Sequence, residues 1–164
     1  MAEEQADSFR RIETRSDSRD AAIELAKIAR RTLAIFTQDM EPGVLDDPEF
    51  VDLVKELALG SRFARVNILC VDITRAIKEG NRLLDLSRRL TSFVEIREPH
   101  KDFKGMQEAF IIADETGLLH RKLGGRWDGF VNTSDPMLAR EKLKLFNDIW
   151  QRSDQHSDTR RLGI

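Results

Sequence analysis

Asp39, Asp72 and Asp114 each follow closely on an apolar run: "TLAIFT", "RVNILCV" and "AFIIA". If those runs are strands of an open α/β sheet, the three carboxylates lie at carboxyl ends of strands, where such sheets bind ligands. Three converging carboxylates would suit a divalent cation, which takes oxygen ligands, or a cationic small molecule. Aspartate is also a common turn residue after strands, and that reading needs no ligand. His120 and Arg121 stand side by side in "GLLHRKL". Neighbours on a strand face opposite ways, so the pair splits between two faces; a solvated strand end is one reading and a ligand role the other. With Asn132 in "GFVN", these residues complete the ligand-binding candidates.

"LGGRWDG" presents Arg126 and Trp127 on a glycine-rich loop. It lacks the G-x-x-x-x-G-K-[ST] pattern and is no phosphate loop. Arg and Trp are favoured anchors of protein interfaces, so the two are candidate contact residues, although Trp127 could equally close the core. The three histidines and the one cysteine, Cys70, show no metal-ligand spacing. The residues therefore imply no metal site, no cofactor and no Ser-His-Asp or Cys-His catalytic arrangement.

Lys and Arg number 27 and Asp and Glu 29, a net charge of -2. Nucleic acid is not an obvious partner of a chain without basic excess, though a local basic patch stays open. No apolar run approaches the roughly 20 residues of a membrane span, so membrane insertion is not expected. The start, "MAEEQADSFRR", lacks the apolar core of a signal peptide. A cytoplasmic location is the default expectation, with Cys70 a small buried residue.

Residues 1–19 read as a flexible polar arm with a short edge strand at "FRRIET". Regular patterning starts at Asp20, a plausible N-cap for "DAAIELAKIARR". "TLAIFT" reads as a buried strand. "DDPEFVDLVKELALG" is an amphipathic helix, with Asp47-Pro48 opening it and Gly60 at the expected C-terminal cap. "RVNILCVD" is a central strand, and "ITRAIKEGNRLLDLSRRL" a helix broken at Gly80. "SFVEIRE" is a strand, "EAFIIAD" and "GLLHRKL" a hairpin about "DETG", and "GFVN" one more short strand. "SDPMLAREKLKLFNDIWQRS" is a long helix whose stripe, ending in Phe146 and Trp150, should be buried. Alternating helices and strands predict an α/β fold: a mixed, mostly parallel sheet with helices on both faces. One domain spans 20–153, and 154–164 is a polar tail.

The order of "AFIIAD", "GFVN" and "LKLFNDIW" resembles one half of a phospholipase D-like domain, over roughly residues 20–153. That family carries H-x-K-x-x-x-x-D on a strand, then G-S-x-N on a short strand, then a helix ending in an F-x-x-x-W-like element. The resemblance implies a histidine that attacks phosphorus, a lysine that holds the phosphate oxygens and an aspartate that supports the site. His100-Lys101-Asp102 spells the motif's three letters without its spacing, with Asp102 and Gln107 where Lys and Asp are needed. Counted back from Asp114, the histidine position is Gln107 and the lysine position Ala109. The G-S-x-N position reads Gly129-Phe130-Val131-Asn132, retaining Asn132 and not the serine. The texture of "IFTQDMEPGVL", "GNRLLDLSRRL" and "LFNDIW" is also similar to a bacterial domain of unknown function sometimes attached to GNAT-type acetyltransferases.

The resemblance thus implies a non-catalytic phospholipase D-like bacterial protein, a binding or association module, with itself or another bacterial protein as partner. Such halves commonly pair with the carboxyl ends of their strands facing across a two-fold axis, so a homodimer is expected. The alternative is an enzyme: a divergent phosphodiesterase or nuclease with relocated residues, or an acetyltransferase accessory. An enzyme should gather His120, Arg121, Asp114 and Asn132 into one pocket; a binding module should leave them scattered.

Overall fold

The structure, a computed structural model, describes residues 8–155. Its strands are β1 (Phe9–Ile12), β2 (Thr32–Thr37), β3 (Arg65–Cys70), β4 (Val94–Glu98), β5 (Ala109–Ala113), β6 (Gly117–Arg121), β7 (Gly129–Asn132) and β8 (Asp154–Gln155). Its α-helices are α1 (Arg15–Ile28), α2 (Pro48–Gly60), α3 (Thr74–Glu79), α4 (Arg82–Arg89) and α5 (Pro136–Gln151). The eight strands form one sheet in the order β1-β7-β6-β5-β2-β3-β4-β8.

The sheet is mixed and helix-flanked, as its sequence predicts. The expected parallel majority is corrected: only the β2–β3 and β3–β4 pairings are parallel, and the other five are antiparallel. The reason lies in the connections. Helical crossovers join the neighbouring strands β2, β3 and β4, whereas β5, β6 and β7 follow one another through short loops and must alternate in direction.

Strand alternation builds two cores. Leu33, Ile35, Ile68, Ile96, Ile111 and Leu119 face Leu25 of α1, Val54 of α2 and Leu83 of α4. Phe36, Leu69, Phe110, Ile112 and Leu118 face Ala139, Phe146 and Ile149 of α5. Phe146 is fully buried, and Trp150 is half-buried, with its ring stacked on Phe146 and the Arg97 guanidinium 4.1 Å above it.

The N-terminal boundary is also corrected. The short edge strand expected at "FRRIET" is present as β1, paired with β7, but α1 begins at Arg15, inside the expected arm, rather than after Asp20. Thr14 is the N-cap. Its side chain accepts from the Asp17 N–H at 3.0 Å, and the Asp17 carboxylate accepts from Glu13 and Thr14 N–H at 2.9 and 3.2 Å. This is a capping box with Asp in place of Glu, and it starts the helix before its apolar stripe begins at Ala21. At the other end, Asp154–Gln155 pairs with β4. The rest of the expected tail, and the first seven residues of the arm, lie outside the described residues.

The helix break falls as expected at Gly80, which takes a φ of 82°. Gly60 does not serve as a left-handed cap: it is the last helical residue of α2, and Ser61 follows in extended conformation.

Candidate functional site

Because β5 runs antiparallel to β2, its beginning lies beside the carboxyl ends of β2 and β3. The two positions that the resemblance assigns to chemistry, Gln107 and Ala109, are therefore at that end of the sheet. Gln38, just past β2, ties the region together: its amide donates to the carbonyls of Met106 and Glu108, both at 2.9 Å.

Ala109 is buried, and its cross-strand partner is Arg121. The two residues line the same small space in the core on the α1 side of the sheet. The Arg121 guanidinium lies 4.5 Å over the Trp127 ring and forms an ion pair with Glu41. It also donates to the Gly124 carbonyl at 3.4 Å. Burial pushes its pKa down to about 10, with Asp39 and Asp128 pulling it upward, so it stays a cation at neutral pH. Glu41 reaches it from a loop in which Met40 and Glu41 both have positive φ, 69° and 38°. Such conformations are uncommon outside glycine, and here the chain adopts two in succession to bring a carboxylate inward. Between Ser18, Glu41, Val44, Ala109 and Arg121 only about 10 Å³ remains free. That is room for one water at most, and no room for a phosphate.

The three aspartates do not converge. Asp39 and Asp72 share the carboxyl edge: Asp39 accepts from the Glu41 N–H at 3.0 Å and lies 3.5 Å from Arg75, and Asp72 accepts from the Thr74 N–H at 2.9 Å. Asp114 is at the opposite edge. Its carboxylate accepts from the N–H groups of Arg30, Arg31 and Thr32 at 3.0, 2.9 and 3.0 Å, fixing the entry of β2. The antiparallel course of β5 against β2 puts it there, which a mostly parallel reading does not foresee. No group of three or more His, Cys, Asp or Glu residues able to hold a metal occurs among the described residues.

His120 and Arg121 do face opposite ways. His120 lies on the α5 side, its Nε2 2.6 Å from Glu108 Oε2, and Lys142 Nζ donates to that same oxygen at 2.8 Å. Partial burial pushes the Glu108 carboxyl up, but the bonds from Lys142 and His120 outweigh it and hold the pKa below its usual value. Asn132 is elsewhere again, at the end of β7, accepting from Ser8 Oγ at 2.7 Å and the Ser134 N–H at 3.0 Å. Arg126 is exposed, 3.8 Å from Asp128, and Trp127 is half-buried against the α1 core with Arg15 5.5 Å over its ring. Cys70 is buried, and burial pushes its thiol pKa upward.

Sequence reasoning missed Glu41, Glu108 and Lys142. Glu108 carried a usable signal, since it alternates with Phe110 and shares its face. Glu41 and Lys142 did not: their partners are 80 and 34 positions away.

A helix-flanked mixed sheet of this order, with a long helix closing one face, is the phospholipase D-like fold. Solved structures that share it include the following three. TrmBL2, an archaeal chromatin protein whose structure shows a mode of DNA binding, matches with a TM-score of 0.64 at 13% identity, over 91% of this chain and 54% of that one. Nuc, a phospholipase D family member from Salmonella typhimurium, matches with a TM-score of 0.61 at 14% identity, over 91% and 97%. NucT from Helicobacter pylori matches with a TM-score of 0.57 at 12% identity, over 90% and 99%. This chain thus spans about half of the chromatin protein and nearly all of the two others. Within that fold, the chain belongs to the family described as a domain of unknown function, DUF7931, whose model matches residues 14–162. No curated protein matches the sequence. No helix among the described residues is long and apolar enough to cross a membrane.

Proposed function

We propose that this protein is a phospholipase D-like module that binds and associates without cleaving phosphodiesters. One observation carries the reading: the buried Arg121–Glu41 ion pair lies next to Ala109, the position that the resemblance assigns to the phosphate-holding lysine, while the position it assigns to the histidine is Gln107. An amide is a poor nucleophile and an alanine offers no charge to a phosphate. The scatter of His120, Arg121, Asp114 and Asn132 over two faces and both sheet edges adds support, because the enzyme alternative requires them in one pocket.

The association is with a second copy, through the carboxyl-end surface. Arg126 is exposed there on the loop that also carries Trp127, and a two-fold contact uses each such residue twice. The chromatin protein brings DNA into view as another partner. The net charge of -2 offers little for the phosphate contacts that dominate DNA affinity, so a protein partner is assigned first. Light scattering tests this: the expected mass at micromolar concentration is twice the 18.9 kDa of one chain. Arg126→Glu should lower it without shifting the melting temperature. A single-chain mass throughout the micromolar range would reject self-association.

A further inference from the structure

Helix α5 covers the sheet over β2, β5 and β6 but leaves the β7–β1 side of the same face open. One cross-strand rung shows the change. Phe36, Phe110, His120, Phe130 and Arg11 are successive partners across β2, β5, β6, β7 and β1. Phe36 and Phe110 are fully buried, His120 and Phe130 are half-buried, and Arg11 is exposed. Phe9 joins the open end, 46% exposed, its ring stacked on Phe130 at 5.6 Å with 25° between planes. His120 follows 5.8 Å beyond Phe130. The result is a shelf of three rings at the floor of a groove of about 460 Å³, within the range of small-ligand sites.

The groove's rim is of both signs: Arg11 and Lys122 are cations, Glu13 and Asp128 carboxylates. A long polyanion would be repelled by half of this rim. A compact ligand that joins a flat ring, hydroxyl groups and one phosphate uses all of it. The ring stacks on the aromatic shelf, as bases do on such side chains. Arg11 and Lys122 meet the phosphate, and the carboxylates accept from hydroxyl or amino groups. The shelf is also held in advance. Glu108, itself anchored by Lys142, fixes the His120 ring through Nε2, and Ser8 Oγ donates to Asn132 across the β1–β7 seam. Preorganisation of this kind lowers the ordering cost of binding.

We infer that this groove is a binding site for a nucleoside monophosphate, its base stacked on Phe9 and Phe130 and its phosphate between Arg11 and Lys122. The site lies on the sheet face opposite the Arg121–Glu41 pair, so its failure would leave the association reading untouched, and the reverse.

The test is calorimetric titration of the full chain with 5′-AMP, with adenosine, inorganic phosphate and a short thymidine oligonucleotide as comparisons. AMP should saturate at millimolar concentration or below, and bind more tightly than adenosine or phosphate alone. Phe9→Ala and Lys122→Glu, both at exposed positions, should each weaken AMP about tenfold or more while melting as the parent does. Failure of AMP to saturate overturns the site, as does saturation indifferent to both substitutions. An oligonucleotide much tighter than AMP would make the groove a strand-binding surface instead. Loss of a dimer mass in Phe9→Ala would make it a contact between copies, and either result rejects the nucleotide site.

Discussion

At the scale of single residues, the protein turns on two buried or half-buried charge clusters, one on each face of the sheet. Arg121 is 2% exposed and Glu41 8%, so neither charge has water to fall back on. Removing one partner of such a pair typically costs ~3–5 kcal/mol, while replacing both by apolar residues is often neutral. Glu41→Leu should therefore destabilise strongly, and Glu41→Leu with Arg121→Met should recover most of the loss in urea unfolding. Equal destabilisation by the single and double variants would mean that the pair's charge is not what matters. Glu108 makes a pH prediction. Its folded-state pKa lies below the ordinary 4.5, so its contribution is fully present above that value and is lost as pH falls through the folded value. The stability gap between the parent and Glu108→Gln should narrow on acidification below about pH 5. A gap independent of pH would show that the carboxylate charge contributes nothing.

At the scale of elements, two side chains secure opposite parts of the sheet. Asp114 has a φ of 54° and satisfies three N–H groups at the start of β2. Asn tolerates the left-handed region better than Ala does and keeps an acceptor oxygen. Asp114→Ala should therefore lower the melting temperature more than Asp114→Asn; equal shifts would place Asp114's role outside its hydrogen bonds. Phe146 anchors α5, and Phe146→Ala should cost ~3–5 kcal/mol. A change under about 1 kcal/mol would mean that α5 does not hold its face of the sheet. These elements were also the most legible part of the sequence. The α2 pattern, the Gly80 break and the hairpin about "DETG" are all local signals, and local physics decides them. The start of α1 was less legible, because its capping box lies ahead of the apolar stripe. The antiparallel majority was not legible either: short loops make β5, β6 and β7 alternate, but the choice of β2 as the antiparallel partner of β5 leaves no mark in a local window. The candidate site suffered most. Asp114 was separated from Asp39 and Asp72 by strand direction, and the Arg121–Glu41 pair joins residues 80 positions apart.

At the scale of the whole molecule, the fold is the phospholipase D-like one, and on the function proposed above the Arg121–Glu41 pair takes the space that a phosphate would need. Helices α1 to α4 and the loop carrying Met40 and Glu41 close one face over Arg121, and α5 closes most of the other. What stays open is the carboxyl-end surface with Arg126 and the aromatic groove beside β1, both suited to contact. The most direct measurement is turnover of bis(p-nitrophenyl) phosphate, single-stranded DNA and phosphatidylcholine by the purified chain. Filled by Arg121 and Glu41, and lacking a nucleophile at Gln107, the site should give rates no higher than buffer. Turnover that persists through repurification and disappears in Gln107→Ala, a variant at an exposed position, would contradict the account.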